Sequence, residues 1–450
     1  MRKVITYGTY DLLHYGHINL LKRAKELGDY LIVGVTTDSF DKERGKLNVK
    51  NNVLERVEAV RKTGLADEII IEEYVGQKID DIQRFGIDIF AIGSDWLGKF
   101  DYLEEFCQVV YLDRTVGISS TQLRNEDAKS YKLGIVGTGR IANRFVPEVR
   151  FVNGVIPIAV LNPNLDEAKE FARMHNISGA FSDWDSFSDE IDAVYIATPH
   201  LTHYDYIKKS ILKNKHVLCE TPMVLSGEEA RGLYKLAEKN DVILMEASKT
   251  AHFPAFNHLI TLVKSGVIGE IVDVDSSLSK LSFGELRELD CKQAGGCVTE
   301  LSSYPFLSII KLLGKEYKNV YFYSIMENGV DIYTRGVIEY ENAIATIKLG
   351  LGIKTEGNLV ISGTKGYVYV PSPWWKPDYF EIRFEDINMN KKYFYSYEGE
   401  GLRYELQEFI SCIANKRYST HRLRRTESAV IADLIETYRK GKKVSIIRRK

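Results

Sequence analysis

Along the first half of this chain, short runs rich in β-branched residues alternate with stretches of helical periodicity, and that alternation leaves few folds open. Lys3 to Tyr7, Tyr30 to Val35, Glu68 to Ile71, Ile87 to Ile92 and Val109 to Leu112 read as strands, with Ile18 to Leu27 and Val53 to Arg61 as helices between them. Repeated βα units predict a parallel sheet covered by helices. The polar stretch Asn125 to Ser130 has no apolar face and a new buried strand starts at Lys132, so a linker closes a first domain of residues 1–128. The alternation then resumes, with strands at 132–136, 155–161, 192–197, 216–219 and 242–246, and predicts a second α/β domain over 131–250. From about Ile268 the runs lengthen and alternate polar with apolar, as in Val320 to Ser324, Tyr333 to Tyr340, Ala343 to Leu349 and Tyr367 to Val370. Such runs suit an open antiparallel sheet with one covered face. Residues 251–450 are therefore expected to form an α+β domain, closed by helices at Arg403 to Ala414 and Glu427 to Lys440.

A length of 450 residues agrees with several cores. Sixty basic residues against 62 acidic ones provide no global attraction for a polyanion, so nucleic acid is not an expected partner and any phosphate must be bound locally. No apolar run approaches membrane-spanning length, and Met1 leads directly into a strand. A cytoplasmic protein without membrane insertion is expected. Cys107, Cys219, Cys291, Cys297 and Cys412 lack the paired spacing of zinc sites, so reduced, buried thiols and no protein-held metal are expected.

The first strand runs into Gly8-Thr9-Tyr10-Asp11-Leu12-Leu13-His14-Tyr15-Gly16-His17, which opens the first helix. Glycine lets the backbone approach a ligand, and helix N-terminal N–H groups attract phosphate. His14 and His17 stand three apart at that start and suit a phosphate chain, although two such histidines also serve as half a metal site or as helix caps. Nucleotidyl transfer asks for positioning and for positive donors at the α-phosphate, which paired imidazoles supply. After the fourth strand, Gly93 to Asp101 places Asp95 and Trp96 at the C-terminal edge of the sheet, where open α/β folds bind ligands. After the fifth, Arg114-Thr115-Val116-Gly117-Ile118-Ser119-Ser120-Thr121 offers a second phosphate cradle with Arg114 as its clamp.

Together the motifs G-T-Y-D, H-Y-G-H, G-S-D-W-x-G-K-F-D and R-T-V-G-I-S-S-T resemble the glycerol-3-phosphate cytidylyltransferase family of teichoic acid synthesis, one of the H-x-G-H nucleotidyltransferases. The resemblance implies a Rossmann-like domain that uses CTP with Mg2+, in which His14 and His17 stabilise the transition state. It implies nucleotide contacts from Gly8, Thr9, Tyr10, Asp11, Gly16, Asp95 and Trp96 and from Thr115, Gly117, Ile118, Ser119 and Ser120. Arg44 and Lys46 would bind substrate phosphate, with Arg44 replacing a usual lysine and Ser120 a usual threonine.

The second domain opens with Gly134-Ile135-Val136-Gly137-Thr138-Gly139-Arg140-Ile141-Ala142 between strand and helix, as a dinucleotide-binding turn requires. Where an acidic residue would hold the ribose of NAD stands Asn162, so neither NAD nor NADP is selected. With Thr198-Pro199-His200 to His203, Cys219-Glu220-Thr221-Pro222 and Met245-Glu246-Ala247, the segment resembles the Gfo/Idh/MocA oxidoreductases over about 131–450. That implies a Rossmann dinucleotide-binding domain with an open-sheet domain and hydride transfer to or from a sugar or polyol. Gly137, Thr138, Gly139, Arg140, Ile141, Asn162, Thr198, Pro199, His203 and Glu220 would meet the cofactor. The family motif E-K-P reads Glu220-Thr221-Pro222 here, so the usual lysine is missing. Tyr304 as proton donor and Lys249 or His252 as stabiliser of the alkoxide are the candidates that remain, each equally readable as a structural residue.

Two functions remain open. In one, an enzyme of CDP-polyol synthesis reduces a keto precursor with its C-terminal domain and activates the alcohol phosphate with its N-terminal domain. In the other, the C-terminal domain is a non-catalytic binding or oligomerisation module, as Thr221 suggests. Both resembled families commonly form dimers or larger assemblies, so a homo-oligomer is expected.

Overall fold

The computed structural model of the chain describes residues 1–47, 49–74, 76–113, 130–284, 286–397 and 399–448. They form two compact units, one holding residues 1–113 and the other holding 131–149, 155–395 and 399–448. Arg114, Thr115, Gly117, Ile118, Ser119 and Ser120 lie outside the described residues.

In the first unit β1 (Lys3–Gly8), β2 (Tyr30–Thr36), β3 (Glu68–Glu72), β4 (Ile89–Gly93) and β5 (Gln108–Leu112) make a parallel sheet ordered β3-β2-β1-β4-β5. Its central strands are apolar at successive positions because helices cover both faces. Val4, Leu31, Val33 and Ile89 pack on one side, and Ile5, Ile32 and Phe90 on the other. The strand order reverses at β1 and β4, so the loops following those two strands part and leave a crevice at the C-terminal edge.

The second unit begins with β6 (Tyr131–Val136), β7 (Val155–Leu161), β8 (Gly179–Phe181), β9 (Ala193–Ile196), β10 (His216–Glu220) and β11 (Leu244–Ala247). They form a parallel sheet ordered β11-β10-β9-β6-β7-β8, with its own reversal between β6 and β9. A third sheet follows, built from β12 (Ile271–Ser279), β13 (Asn319–Glu327), β14 (Val330–Glu339), β15 (Ile344–Gly350), β16 (Leu359–Gly363), β17 (Gly366–Val370), β18 (Tyr379–Phe384), β19 (Lys391–Phe394) and β20 (Val444–Ile446). Its order is β19-β18-β17-β16-β12-β15-β14-β13-β20. Alternation predicted antiparallel pairing, and most neighbours obey it, but the sheet is mixed: β12 pairs parallel with β15, and β13 with β20. The chain leaves β12 through helices Cys297–Leu301 and Ser303–Leu313 and a hairpin before β15 returns beside it, a connection long enough for parallel pairing. One face is covered as expected. In β13 Val320, Phe322 and Ser324 are buried while Tyr321 and Tyr323 face outward.

Elements on either side of residue 250 pack together. Helix Arg425–Arg439 lies on helix Gly227–Lys239, and helix Leu402–Ala414 lies on helices Arg140–Val149 and Lys249–His252. The Arg231 guanidinium donates from Nη1 and Nη2 to the Asp433 carboxylate at 2.8 and 3.1 Å across the first of these contacts. All five thiols are free. Cys291 is exposed rather than buried, because it stands on the short 3-10 turn Cys291–Gln293. Among the described residues no helix is long and apolar enough to cross a membrane, and no His, Cys, Asp and Glu cluster of metal-binding size occurs.

Candidate active sites

His14 is the N-cap of helix Tyr15–Glu26. Its Nδ1 accepts the Gly16 N–H at 3.1 Å, and Nδ1 of His17 accepts the His14 N–H at 3.5 Å. The two rings stack with centroids 3.9 Å apart and planes 19° from parallel. An Nδ1 that accepts a backbone N–H fixes the neutral tautomer with its proton on Nε2, so both rings carry their donor on Nε2. Gly8 is where the chain needs no side chain: a Cβ there would stand 2.9 Å from the Tyr10 ring. Tyr10 is itself buried, edge-on to His17 at 5.6 Å. The Asp11 carboxylate, also buried, accepts the N–H groups of Lys50 and Asn51. Tyr10 thus packs against His17, and Asp11 holds the backbone at Lys50 and Asn51.

Thr9, Arg44 and Lys46 converge. The Thr9 hydroxyl accepts from Arg44 Nη2 at 2.9 Å and from Lys46 Nζ at 3.0 Å, and donates to Asp41 at 2.9 Å. Sequence reasoning missed the two residues beneath them. Asp41 is fully buried, pairs with Arg44 at 2.8 Å and with Arg56 at 3.2 Å, and accepts from Thr36. Arg56, also buried, donates to the Thr9 and Asn51 carbonyls and to Asp38 at 2.6 Å. The network fixes the loop after β1 and aims two cations at the crevice. Arg56→Met leaves Asp41 buried with half its compensation, and we expect it to lower the first unit's stability by about 3–5 kcal/mol. The midpoint of urea unfolding at unchanged m-value measures this. A shift under about 1 kcal/mol would show the network to be dispensable.

Asp95 and Trp96 stand on the turn Ser94–Trp96 after β4, Asp95 exposed and Trp96 packed on Phe100 with Lys99 over its ring at 5.3 Å. A third cation, Lys78, was also missed. It ion-pairs with the buried Glu72 at the end of β3 and lies 4.7 Å over the Tyr7 ring. Burial lowers its pKa against the opposing pull of Glu72.

In the second unit a cavity of about 970 Å³ runs from the turn after β6 to the third sheet. Gly137, Thr138, Gly139, Arg140, Ile141, Asn162, Thr198, Pro199, His203, Glu220, Lys249 and Tyr304 all border it. A dinucleotide fits the turn. Gly137 has φ +98° and a Cβ there would meet the Ala197 carbonyl oxygen at 2.6 Å, whereas a Cβ on Gly139 would enter open space at the start of helix Arg140–Val149. Asn162 donates to Thr138 Oγ1 at 2.6 Å and to Glu167 at 2.9 Å. His203 is buried with Nδ1 and Nε2 facing the Pro222 and Thr198 carbonyls. Burial, with the charge of His200, brings it down to about 4, so the neutral ring donates to one of these two carbonyls.

At the other end, Thr221 turns its hydroxyl to Glu246 at 2.8 Å, away from the role a lysine would fill. Lys249, one strand over, is buried, with Nζ 4.0 Å from Glu400. Burial and then Lys376 lower its pKa, against Glu400 and Glu220. Glu220 accepts the Tyr195 hydroxyl. Burial raises Glu220 to about 7, although Tyr195 and Lys249 act against that. Tyr304 is half-buried and its pKa is raised by burial and by Glu220 and Glu405. Beside it Glu300 accepts from Arg287 at 2.8 Å and faces His200 Nε2 at 3.1 Å. Burial alone would raise Glu300, but these two partners bring it down to about 2. His252, a further candidate, is fully buried and does not border the cavity.

Fold and sites define a nucleotidyltransferase joined in one chain to a nicotinamide-dependent oxidoreductase. The cytidylyltransferase-like family matches residues 5–130, the oxidoreductase family with an NAD-binding Rossmann fold matches 131–248, and the GFO/IDH/MocA C-terminal domain matches 256–369. Over 128 residues the chain is 52% identical to the glycerol-3-phosphate cytidylyltransferase of Bacillus spizizenii, covering 28% of this chain and 98% of that protein. The corresponding enzyme of Staphylococcus aureus is 48% identical over 28% of this chain and 95% of its own length. The chain belongs to the glycerol-3-phosphate cytidylyltransferase family through its first domain, and residues 131–248 and 256–369 match the two domains of the Gfo/Idh/MocA oxidoreductases. The trans-1,2-dihydrobenzene-1,2-diol dehydrogenase of Xenopus laevis is 27% identical over 68% of this chain and 96% of that protein. A 3-ketoreductase from Actinomadura kijaniata, solved with NADP and TDP-benzene, shares the fold at 19% identity and a TM-score of 0.64, over 71% of this chain and all of that one.

Proposed function

We propose that the first domain transfers cytidylyl from CTP, with Mg2+, to a glycerol phosphate or a similar small polyol phosphate, and that the second unit is an NAD(P)-dependent reductase that supplies the polyol precursor. The stacked His14 and His17 carry this reading, because two Nε2 donors held by the helix cap suit the charge that builds on an α-phosphate in transfer. Arg44 and Lys46 neutralise substrate phosphate, Asp95 and Trp96 fix the nucleoside end, and Arg114 to Ser120 hold the triphosphate. The names of the relatives support CTP and glycerol 3-phosphate. In the second unit the turn at Gly137 to Ile141 with Asn162, Thr198, Pro199 and Glu220 holds the dinucleotide. When bound, a reduced nicotinamide supplies hydride. Tyr304 then gives the proton and Lys249 steadies the alkoxide. The domains remain 1–128, 131–250 and 251–450, in a cytoplasmic homo-oligomer.

With CTP and a panel of polyol phosphates the protein should release pyrophosphate and form a CDP-polyol visible by mass spectrometry, and it should do so far less with ATP or GTP. No product with any pair would overturn the transferase half. Thr221 favours a second reading, a non-catalytic C-terminal module. Lys249 in the same cavity weighs against it. Oxidation of NADH or NADPH by a keto phosphate decides between them.

A further inference from the structure

A single side chain ties the turn after β6 to the end of β7. Asn162, the first residue after β7, donates from Nδ2 to Thr138 Oγ1 at 2.6 Å and to Glu167 Oε2 at 2.9 Å, while its Oδ1 accepts the Asn164 N–H at 2.9 Å. That backbone donor fixes which way the Asn162 amide faces, so its own N–H groups are the ones turned to Thr138 and Glu167. Asn164 caps helix Leu165–His175, with Oδ1 accepting the Asp166 and Glu167 N–H groups, and donates from Nδ2 to Glu167 Oε1 at 3.2 Å. Each oxygen of the Glu167 carboxylate is therefore held by one amide. A carboxylate oxygen accepts about two hydrogen bonds, so each keeps capacity for a hydroxyl. Thr138, Asn162 and Glu167 all border the cavity, Glu167 at its exposed edge.

In a dinucleotide-binding fold the end of the second strand meets the adenosine ribose, where a carboxylate accepts from the hydroxyls of NAD and a cation accommodates the 2′-phosphate of NADP. β7 is that strand here and pairs with β6. Its end carries an amide where an acid is usual, and the acid comes from the helix that follows, held at the same edge by Asn162. A 2′-phosphate placed there would set like charges against each other, and the cations of the cavity are committed elsewhere. Among the described residues that border it, Arg144 and Lys249 pair with Glu400, Lys280 with Glu288 and Arg287 with Glu300. That leaves Arg140, which opens helix Arg140–Val149 directly after Gly139 and so stands at the pyrophosphate. We propose that Glu167 makes the second unit selective for NAD(H) over NADP(H), by accepting from the hydroxyls of the adenosine ribose and repelling a 2′-phosphate. This rests on the reading of the cavity as a dinucleotide site. Glu167 is then the residue that determines cofactor specificity, and Asn162 and Asn164 position it.

Calorimetric titration of the full chain with NADH and with NADPH, in the absence of any carbonyl substrate, tests the selectivity. Gly139→Val, which fills the turn, serves as the blank for dinucleotide bound anywhere else. NADH should bind about 10–100-fold more tightly than NADPH, the range that one like-charge contact at a recognition site imposes. Glu167→Gln keeps the length of the side chain and an acceptor oxygen but removes the charge. It should tighten NADPH about tenfold while NADH changes by less than about threefold. Glu167→Lys offers the 2′-phosphate a cation and should turn the preference toward NADPH. The position is exposed and both replacements are good helix formers, so neither threatens the fold. Arg140→Gln should weaken the two cofactors by the same factor, as loss of a pyrophosphate contact does. A wild type that binds NADPH as tightly as NADH, or a ratio that Glu167→Gln leaves unchanged, overturns the role of Glu167. So does Arg140→Gln if it weakens NADPH alone, because the 2′-phosphate would then belong to Arg140. Binding of neither cofactor overturns the dinucleotide reading itself, a result distinct from an equal or reversed preference.

Discussion

His17→Ala lowers cytidylyl transfer by about two orders of magnitude or more, as loss of one transition-state donor does. The substitution removes the Nε2 donor, and it also removes the Nδ1 acceptor of the His14 N–H and the ring stacked at 3.9 Å on His14. The two losses separate by size. A cap interaction is worth about 1 kcal/mol of helix stability, whereas a hundredfold rate loss is about 2.7 kcal/mol of barrier. Steady-state turnover with CTP and glycerol 3-phosphate, beside urea unfolding of the same variant, measures both. Turnover within about threefold of wild type would remove His17 from the chemistry and leave it a helix cap, a role its geometry also satisfies. His17→Gln offers an amide donor on a longer side chain and should recover part of the loss if donation is what matters.

What the sequence made legible was local. His14, Gly16 and His17 fall within one helix start, and Gly137 to Ile141 within one turn, so their spacing already carried their geometry. Arg56 and Asp41 were not legible, because their pairing depends on how helix Asp38–Glu43 and helix Val53–Lys62 come together. A signal was nevertheless present. Arg56 sits among Val53, Val57 and Val60, on the stripe that packs into the core, where a charge is tolerated only if paired. Glu405 among Leu402, Leu406 and Phe409 repeats that pattern, and so does Glu148 near Phe145 and Val149. A charged residue on an apolar stripe was the feature to pursue. Lys249 is another kind of case: it was readable as a candidate beside the missing lysine at Thr221, but only the parallel pairing of Glu220 with Ala247 brings its segment alongside that turn. The mixed third sheet was not readable for the same reason. Alternation specifies which face is covered and says nothing of the direction in which a distant strand returns.

Gly139→Val should abolish dinucleotide binding and leave the fold and cytidylyl transfer as they are. The two glycines of the turn differ in what a side chain would meet. At Gly137 the backbone is left-handed and a Cβ would lie 2.6 Å from the Ala197 carbonyl oxygen, so substitution there strains the protein itself. At Gly139 nothing lies within 4 Å of a Cβ, and the backbone is not in the left-handed region, so valine is accommodated by the protein. The space it takes is the cavity immediately before helix Arg140–Val149, where backbone N–H groups face a ligand. The loss therefore falls on the ligand alone, which makes Gly139→Val a cleaner test of the site than Gly137→Val. Calorimetric titration of NADH and NADPH into wild type and variant, with pyrophosphate release from CTP followed in the same preparations, is the measurement. The two compact units each have their own core, so damage to the second site should leave the rate of the first unchanged within error. Equal dinucleotide affinity in variant and wild type would place the pyrophosphate elsewhere than this turn. Loss of cytidylyl transfer together with dinucleotide binding would show the two sites to be coupled, against the expectation of independent units.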